Sequence, residues 1–100
     1  MPAKEQIREQ TRNQIKLPRQ YQVLIYNDDF TPMDLVVDIL VQIFNKEEKE
    51  AFSLMMRVHR GSYAVVGIYP KDIAQTKANE AVCWAREEGY PLKVEAVCQP

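Results

Sequence analysis

The sequence predicts an α+β fold: a two-layer β-α-α-β-α-β domain with a three-stranded antiparallel sheet and three helices, preceded by a flexible N-terminal arm. Three observations predict it. Short runs rich in Val, Ile and Tyr alternate with longer stretches whose apolar residues recur at helical spacing. Turn formers mark the junctions between them. The length of 100 residues, with 46% apolar and 27% charged, suits one small globular domain and is too hydrophobic for a disordered chain.

Residues 1–19 form the expected arm, because after Met1 only Ile7, Ile15 and Leu17 among them are large and apolar. Residues 20–100 form the expected core domain. Tyr21 to Tyr26 is β-rich and mostly apolar, the first strand, and Asn27-Asp28-Asp29 ends it in a turn. Thr31 as N-cap, Pro32 at the first helical position and Asp34 three residues after Thr31 predict a helix start. Met33, Val36, Val37, Leu40 and Phe44, widened by Leu35, Ile39 and Ile43, predict a helix buried on two sides. Asn45 is expected to end that helix and, with Glu48, to cap a second one whose apolar face is Phe52, Met55, Val58 and His59. Gly61 and Ser62 break it before a second strand, Tyr63 to Tyr69. Pro70 opens a third helix with a narrow face of Ala74, Ala78, Ala81, Val82 and Ala85, stopped by Gly89 and Pro91. Leu92 to Ala96 alternates as the last strand. Placing the first strand between the other two satisfies a right-handed helical crossover.

Charge is distributed unevenly. Residues 1–20 hold five Lys/Arg against two Asp/Glu, a local +3, and residues 21–100 hold eight against twelve, a local −4. An acidic body disfavours nucleic acid, whose binding needs a dense basic face. No run of about 18 apolar residues offers a membrane span, and the N-terminus lacks the pattern of a targeting segment, so the expected location is cytoplasmic. Cys83 and Cys98 have no metal or redox spacing and read as buried or idle thiols. The familiar hydrolase, phosphate-loop and zinc motifs are absent, and one histidine is present. His59 with Asp28 or Asp29, or Cys83 with His59, is a poor catalytic set, and two adjacent carboxylates with a distant imidazole are a poor metal set. The expectation is a protein that is not an enzyme and holds no metal or cofactor.

Alone, Asp28-Asp29 reads as a solvated turn and His59 as an edge residue. Together they are more informative. A polar cluster leaving a strand, a helix starting near Met33 and a second helix bearing Met55, Val58 and His59 converge on one concave place. Imidazole, the Asn27 amide oxygen and a carboxylate all accept hydrogen bonds, which suits an ammonium, and methionines adapt to bulky apolar groups. The ligand so described is a cation attached to a large apolar group, as in a protein N-terminus beginning with Phe, Leu, Trp or Tyr. A non-catalytic assembly module of ribosomal-stalk-like type, with the same element order and no pocket, is the alternative.

The segments Tyr21-x-Val23, Asn27-Asp28-Asp29-Phe30-Thr31-Pro32-Met33-Asp34, Met55-x-x-Val58-His59, Gly67, Thr76-Lys77 and Pro91-Leu92 resemble the ClpS family of adaptors, collinearly from Pro18 to Ala96. The resemblance implies binding of N-degrons, the destabilising N-terminal residues of substrates, and delivery to a Clp-type AAA+ unfoldase. It implies that Asn27, Asp29 and His59 hold the α-amino group, with Asp28 adjacent. It lines the side-chain pocket with Thr31, Met33, Val36, Met55, Val58 and Leu92, with Met33 as gatekeeper against β-branched residues. It places unfoldase docking near Asp72, Thr76 and Lys77 and makes the arm necessary for delivery. The chain departs from the family at Gly61, one position early, at Asp72 where Glu is frequent, and at Gln75 where an acid is common.

Overall fold

The computed structural model describes residues 19–100. The arm assigned to residues 1–19 lies, apart from Arg19, outside the described residues. Three strands, β1 (Gln20–Tyr26), β2 (Tyr63–Pro70) and β3 (Val94–Cys98), and three helices, α1 (Met33–Gln42), α2 (Glu48–Gly61) and α3 (Lys71–Glu87), follow the expected order. The sheet runs β2-β1-β3 with both pairs antiparallel, and β1 is central as expected. Val23 and Ile25 of β1 are fully buried because the helices cover that face of the central strand.

The sheet register carries one irregularity. Val23 opposes Gly67 and Leu24 opposes Val65, so Val66 is an extra residue in β2, a bulge that keeps its side chain in the core. A Cβ on Gly67 would lie 2.7 Å from the Tyr69 hydroxyl, so the close approach of that ring demands glycine. The Tyr69 ring in turn packs against Phe44, with centroids 6.4 Å apart.

The small-residue face of α3 does what its spacing implies. Ala74, Ala78, Ala81 and Ala85 are buried, and α3 contacts all three strands. At its end Gly89 has φ +88°, and the Tyr90 N–H donates to the Ala85 carbonyl at 2.9 Å, closing the turn as a glycine stop should. Both cysteines are free; Cys83 is exposed and Cys98 half-buried, so neither is a buried thiol.

Several local expectations are corrected. Helix α1 starts at Met33, with Pro32 in the cap position and no side-chain cap, because the Thr31 hydroxyl donates to Asp28 at 2.7 Å and so does not cap the helix. Asn45 ends α1 in a left-handed conformation (φ 57°), with the Lys46 N–H donating to the Leu40 carbonyl. It does not cap α2, whose cap residue is Glu47. The buried face of α2 is Ala51, Leu54, Met55 and Val58, while Phe52 and His59 are exposed. Strand β3 begins two residues later than expected, because Arg86 donates to the Tyr90 and Leu92 carbonyls at 2.8 and 2.9 Å and holds that segment as a turn.

Helix α2 stops through Ser62 and not Gly61. Ser62 has φ 81°, a region that favours glycine, while Gly61 is the last helical residue. A non-glycine residue there costs roughly 1–2 kcal/mol. Ser62→Gly is therefore expected to raise the stability by about 1 kcal/mol, a higher midpoint in thermal or urea unfolding; no change would show that the serine is unstrained.

Candidate functional site

The loop leaving β1 is built by one carboxylate. Asp28 Oδ1 accepts from the backbone N–H groups of Phe30 and Thr31, both at 2.7 Å, and Oδ2 accepts from the Thr31 hydroxyl at 2.7 Å. Burial alone would raise its pKa, but these donors, together with the positive charge of Arg86, hold the carboxyl below its ordinary value. The loop is fixed at both ends as well. The Tyr26 N–H donates to the Lys93 carbonyl at 3.1 Å, and the Asn27 N–H to the Ser62 carbonyl at 2.7 Å. Since Ser62 follows the last turn of α2, this second bond ties Asn27 to the segment carrying His59.

These ties enclose a cavity of about 240 Å³ between the β1 exit, α1, the end of α2 and the 90–92 turn. Its apolar base is Leu92, Val58, Met55 and Val36, all buried, with Leu92 only 1% exposed. Met33 stands at the mouth, 43% exposed. Asn27, Asp29 and His59 line the same cavity and are exposed, while Asp28 and Thr31 are half-buried. All ten residues expected at the ammonium and apolar sites line it. Two carboxylates and an imidazole face it without any Lys or Arg among its lining residues, so its field favours a cation.

Two contributors escaped the sequence reading. Tyr26 also lines the cavity; its hydroxyl donates to Glu95 at 3.1 Å, and burial with the neighbouring Glu95 raises its pKa. Arg86 supports the base from below by fixing the Leu92 carbonyl. Tyr26 follows the apolar β1 run and was visible only as a strand residue. Arg86 gave no signal, because it acts on backbone atoms six residues away. Cys83 is not among the lining residues, and the described residues contain no His/Cys/Asp/Glu group able to hold a metal.

The expected docking residues lie elsewhere, on α3. Asp72, Thr76 and Lys77 line a shallow depression with Ile73 and Glu80. Asp72 and Thr76 are exposed, but Lys77 is half-buried and committed to the fold. Its Nζ donates to the Ile43 carbonyl at 2.7 Å and sits 5.9 and 5.7 Å from the ring centroids of Phe44 and Tyr69. It closes the C-terminal end of α1, where free carbonyls attract a cation.

The model of the family described as "ATP-dependent Clp protease adaptor protein ClpS" matches residues 16–95. The chain belongs to the ClpS family. It is 46% identical over 85 residues to the ClpS adapter of Deinococcus radiodurans, covering 85% of this chain and 75% of that one. It is 50% identical over 82 residues to the ClpS adapter of Treponema denticola, covering 80% and 81%. Agrobacterium tumefaciens ClpS2, solved bound to L-phenylalaninamide, superposes with a TM-score of 0.80 at 38% identity, over 82% of this chain and 99% of that one. The chain is thus an adaptor of the Clp protease and not an enzyme. Among the described residues no helix is long and apolar enough to cross a membrane.

Proposed function

We propose that this adaptor binds the free α-amino group and bulky hydrophobic first residue of N-degron substrates in the cytoplasm and delivers them to a Clp-type AAA+ unfoldase for degradation. The observation that carries the reading is the single cavity that joins an apolar base to a rim of acceptors with negative charge. Phenylalaninamide, the ligand of the related ClpS2, has the same two parts, a free α-amino group and a benzyl side chain. Size agrees as well. An apolar protein cavity of about 150 Å³ takes up benzene, so 240 Å³ accommodates such a side chain.

In this reading Asn27, Asp29 and His59 accept from the ammonium, while Asp28, whose oxygens already serve the loop, positions them. Leu92, Val58, Met55 and Val36 take the side chain, and Thr31 and Met33 border the entrance. Asp72 and Thr76, with the exposed Ile73, offer the face for the unfoldase, and Lys77 shapes that face through its bond to α1. The arm at residues 1–19 is assigned to delivery, and residues 20–100 to binding.

Burying a Phe or Leu side chain contributes roughly 1.5–3 kcal/mol, and each hydrogen bond to a charged group about 1.5–3 kcal/mol. Less the loss of translational freedom, the sum corresponds to Kd near micromolar, about 8 kcal/mol. That strength suits a transient handoff. Titration with a peptide beginning in Phe, its N-acetylated form and the same peptide beginning in Val tests the reading. The first is expected to bind near micromolar, the second not at all and the third at least about tenfold more weakly, a difference of roughly 1.4 kcal/mol. Equal or absent binding of all three would favour an assembly module that makes no use of the pocket.

A further inference from the structure

Beside the cavity, a groove of about 480 Å³ runs between α1 and α2. Val37, Val41 and Phe52 give it an apolar wall, and its rim carries Asp34 and Asp38 of α1 and Glu48 of α2, with no Lys or Arg along it. Phe52 is 56% exposed, because α2 turns the face of Ala51, Leu54 and Val58 to the core. Met33 and Met55 line both the cavity and the groove, so the two hollows are separated by a shared pair of side chains and by nothing else that lines both.

A chain whose first side chain fills the cavity leaves across the mouth, where Met33 stands. An extended peptide advances about 3.3 Å per residue, which brings its third and fourth residues over an adjacent groove. Exposed aromatic and aliphatic surface there favours a large apolar side chain, and the three carboxylates favour a basic one.

We propose that this groove is a second subsite for the same substrate chain, taking a large apolar residue followed by Lys or Arg at about the third and fourth positions. The proposal rests on the reading of the cavity as a site for a substrate N-terminus, and adds a preference beyond the first residue.

The test uses the full chain and fluorescence anisotropy with two labelled peptides, one beginning Phe-Ala-Leu-Arg and the other Phe-Ala-Ala-Ala, alongside phenylalaninamide as competitor. The Leu-Arg peptide is expected to bind about tenfold more tightly, the scale of one partly buried aliphatic side chain. Phe52→Ser is expected to shrink the ratio to about twofold or less while phenylalaninamide competes as before. Asp38→Asn, which alters only one exposed charge of three, is expected to reduce the part of the advantage that salt also removes. Equal binding of the two peptides, with phenylalaninamide still bound, overturns the groove and leaves the cavity reading intact. An advantage that survives both substitutions overturns its location. Self-association abolished by Phe52→Ser would assign the groove to a second copy and overturn the proposal. Failure of phenylalaninamide to bind at all overturns both readings.

Discussion

Asp28→Ala is expected to lower the stability of the fold by about 2 kcal/mol, of order 10 °C in Tm, and to weaken binding of a Phe-initiated peptide at least about tenfold. The side chain makes three hydrogen bonds at 2.7 Å inside the loop that joins β1 to α1. Alanine leaves two backbone N–H groups and the Thr31 hydroxyl without their acceptor. Solvent replaces part of the loss, because the loop is only half-buried, which sets the effect below the sum of three charged hydrogen bonds. Binding suffers because the same loop carries Asn27 and Asp29 on one side and Thr31 and Met33 on the other. Asp28→Asn separates the causes. Its amide oxygen still serves the two backbone N–H groups, and the Thr31 hydroxyl turns to accept from the amide, so more than half of the stability is expected to return. The sign of the pH dependence follows from the lowered pKa of Asp28. The folded protein keeps this carboxylate ionised to lower pH than the unfolded chain, so its contribution is present above the ordinary carboxylate value and is lost as pH falls through the lower folded value. Urea midpoints of the parent chain should therefore fall more steeply below about pH 4 than those of Asp28→Asn. Parallel pH profiles would show that the Asp28 carboxylate does not hold the loop.

The fold was legible in the sequence wherever burial dictated the pattern. Val23 and Ile25, the wide stripe of α1 and the alanine face of α3 each showed the period of the element they occupy, and the central place of β1 followed from connection rules. Cap positions were less legible because side chains there choose between partners that sequence proximity does not rank. Thr31 had two possible duties, to cap α1 or to serve Asp28, and the latter prevailed because a carboxylate accepts from both the hydroxyl and two backbone donors. Ser62 shows the same limit: a glycine stood next to it, and the left-handed turn still fell on the serine. In the cavity, Asn27, Asp28, Asp29, Met33, Met55, Val58 and His59 were legible as a converging set from the order of the elements, whereas Thr31, Val36 and Leu92 came only through the resemblance to the ClpS family. Arg86 and Tyr26 were not legible, since the arginine acts on distant carbonyls and the tyrosine shares its pattern with any strand aromatic. Phe52 misled in the opposite direction. Helical spacing put it on the buried face, yet Ala51 one residue earlier occupies that position and leaves the ring in the groove.

Replacing both Asn27 and His59 with Ala is expected to remove measurable binding of a Phe-initiated peptide, with each single change costing about 10- to 150-fold. Each substitution deletes an acceptor for an ammonium group, an interaction worth about 1.5–3 kcal/mol. The two losses should combine to less than their sum, because both acceptors address one charge and either is weakened when the other no longer orients it. Stability should stay within about 0.5 kcal/mol of the parent chain. Both side chains are exposed, and the bond that ties this region together comes from the Asn27 backbone N–H, which alanine retains. This contrast with Asp28 is the stronger part of the prediction. A group that builds the loop loses stability and binding together, whereas a group that meets the ligand loses binding alone. Isothermal titration beside urea unfolding of the same samples reads both quantities. Binding within about threefold of the parent in the double variant would mean that the ammonium is held elsewhere, and a matching loss of stability would move Asn27 and His59 into the same structural role as Asp28.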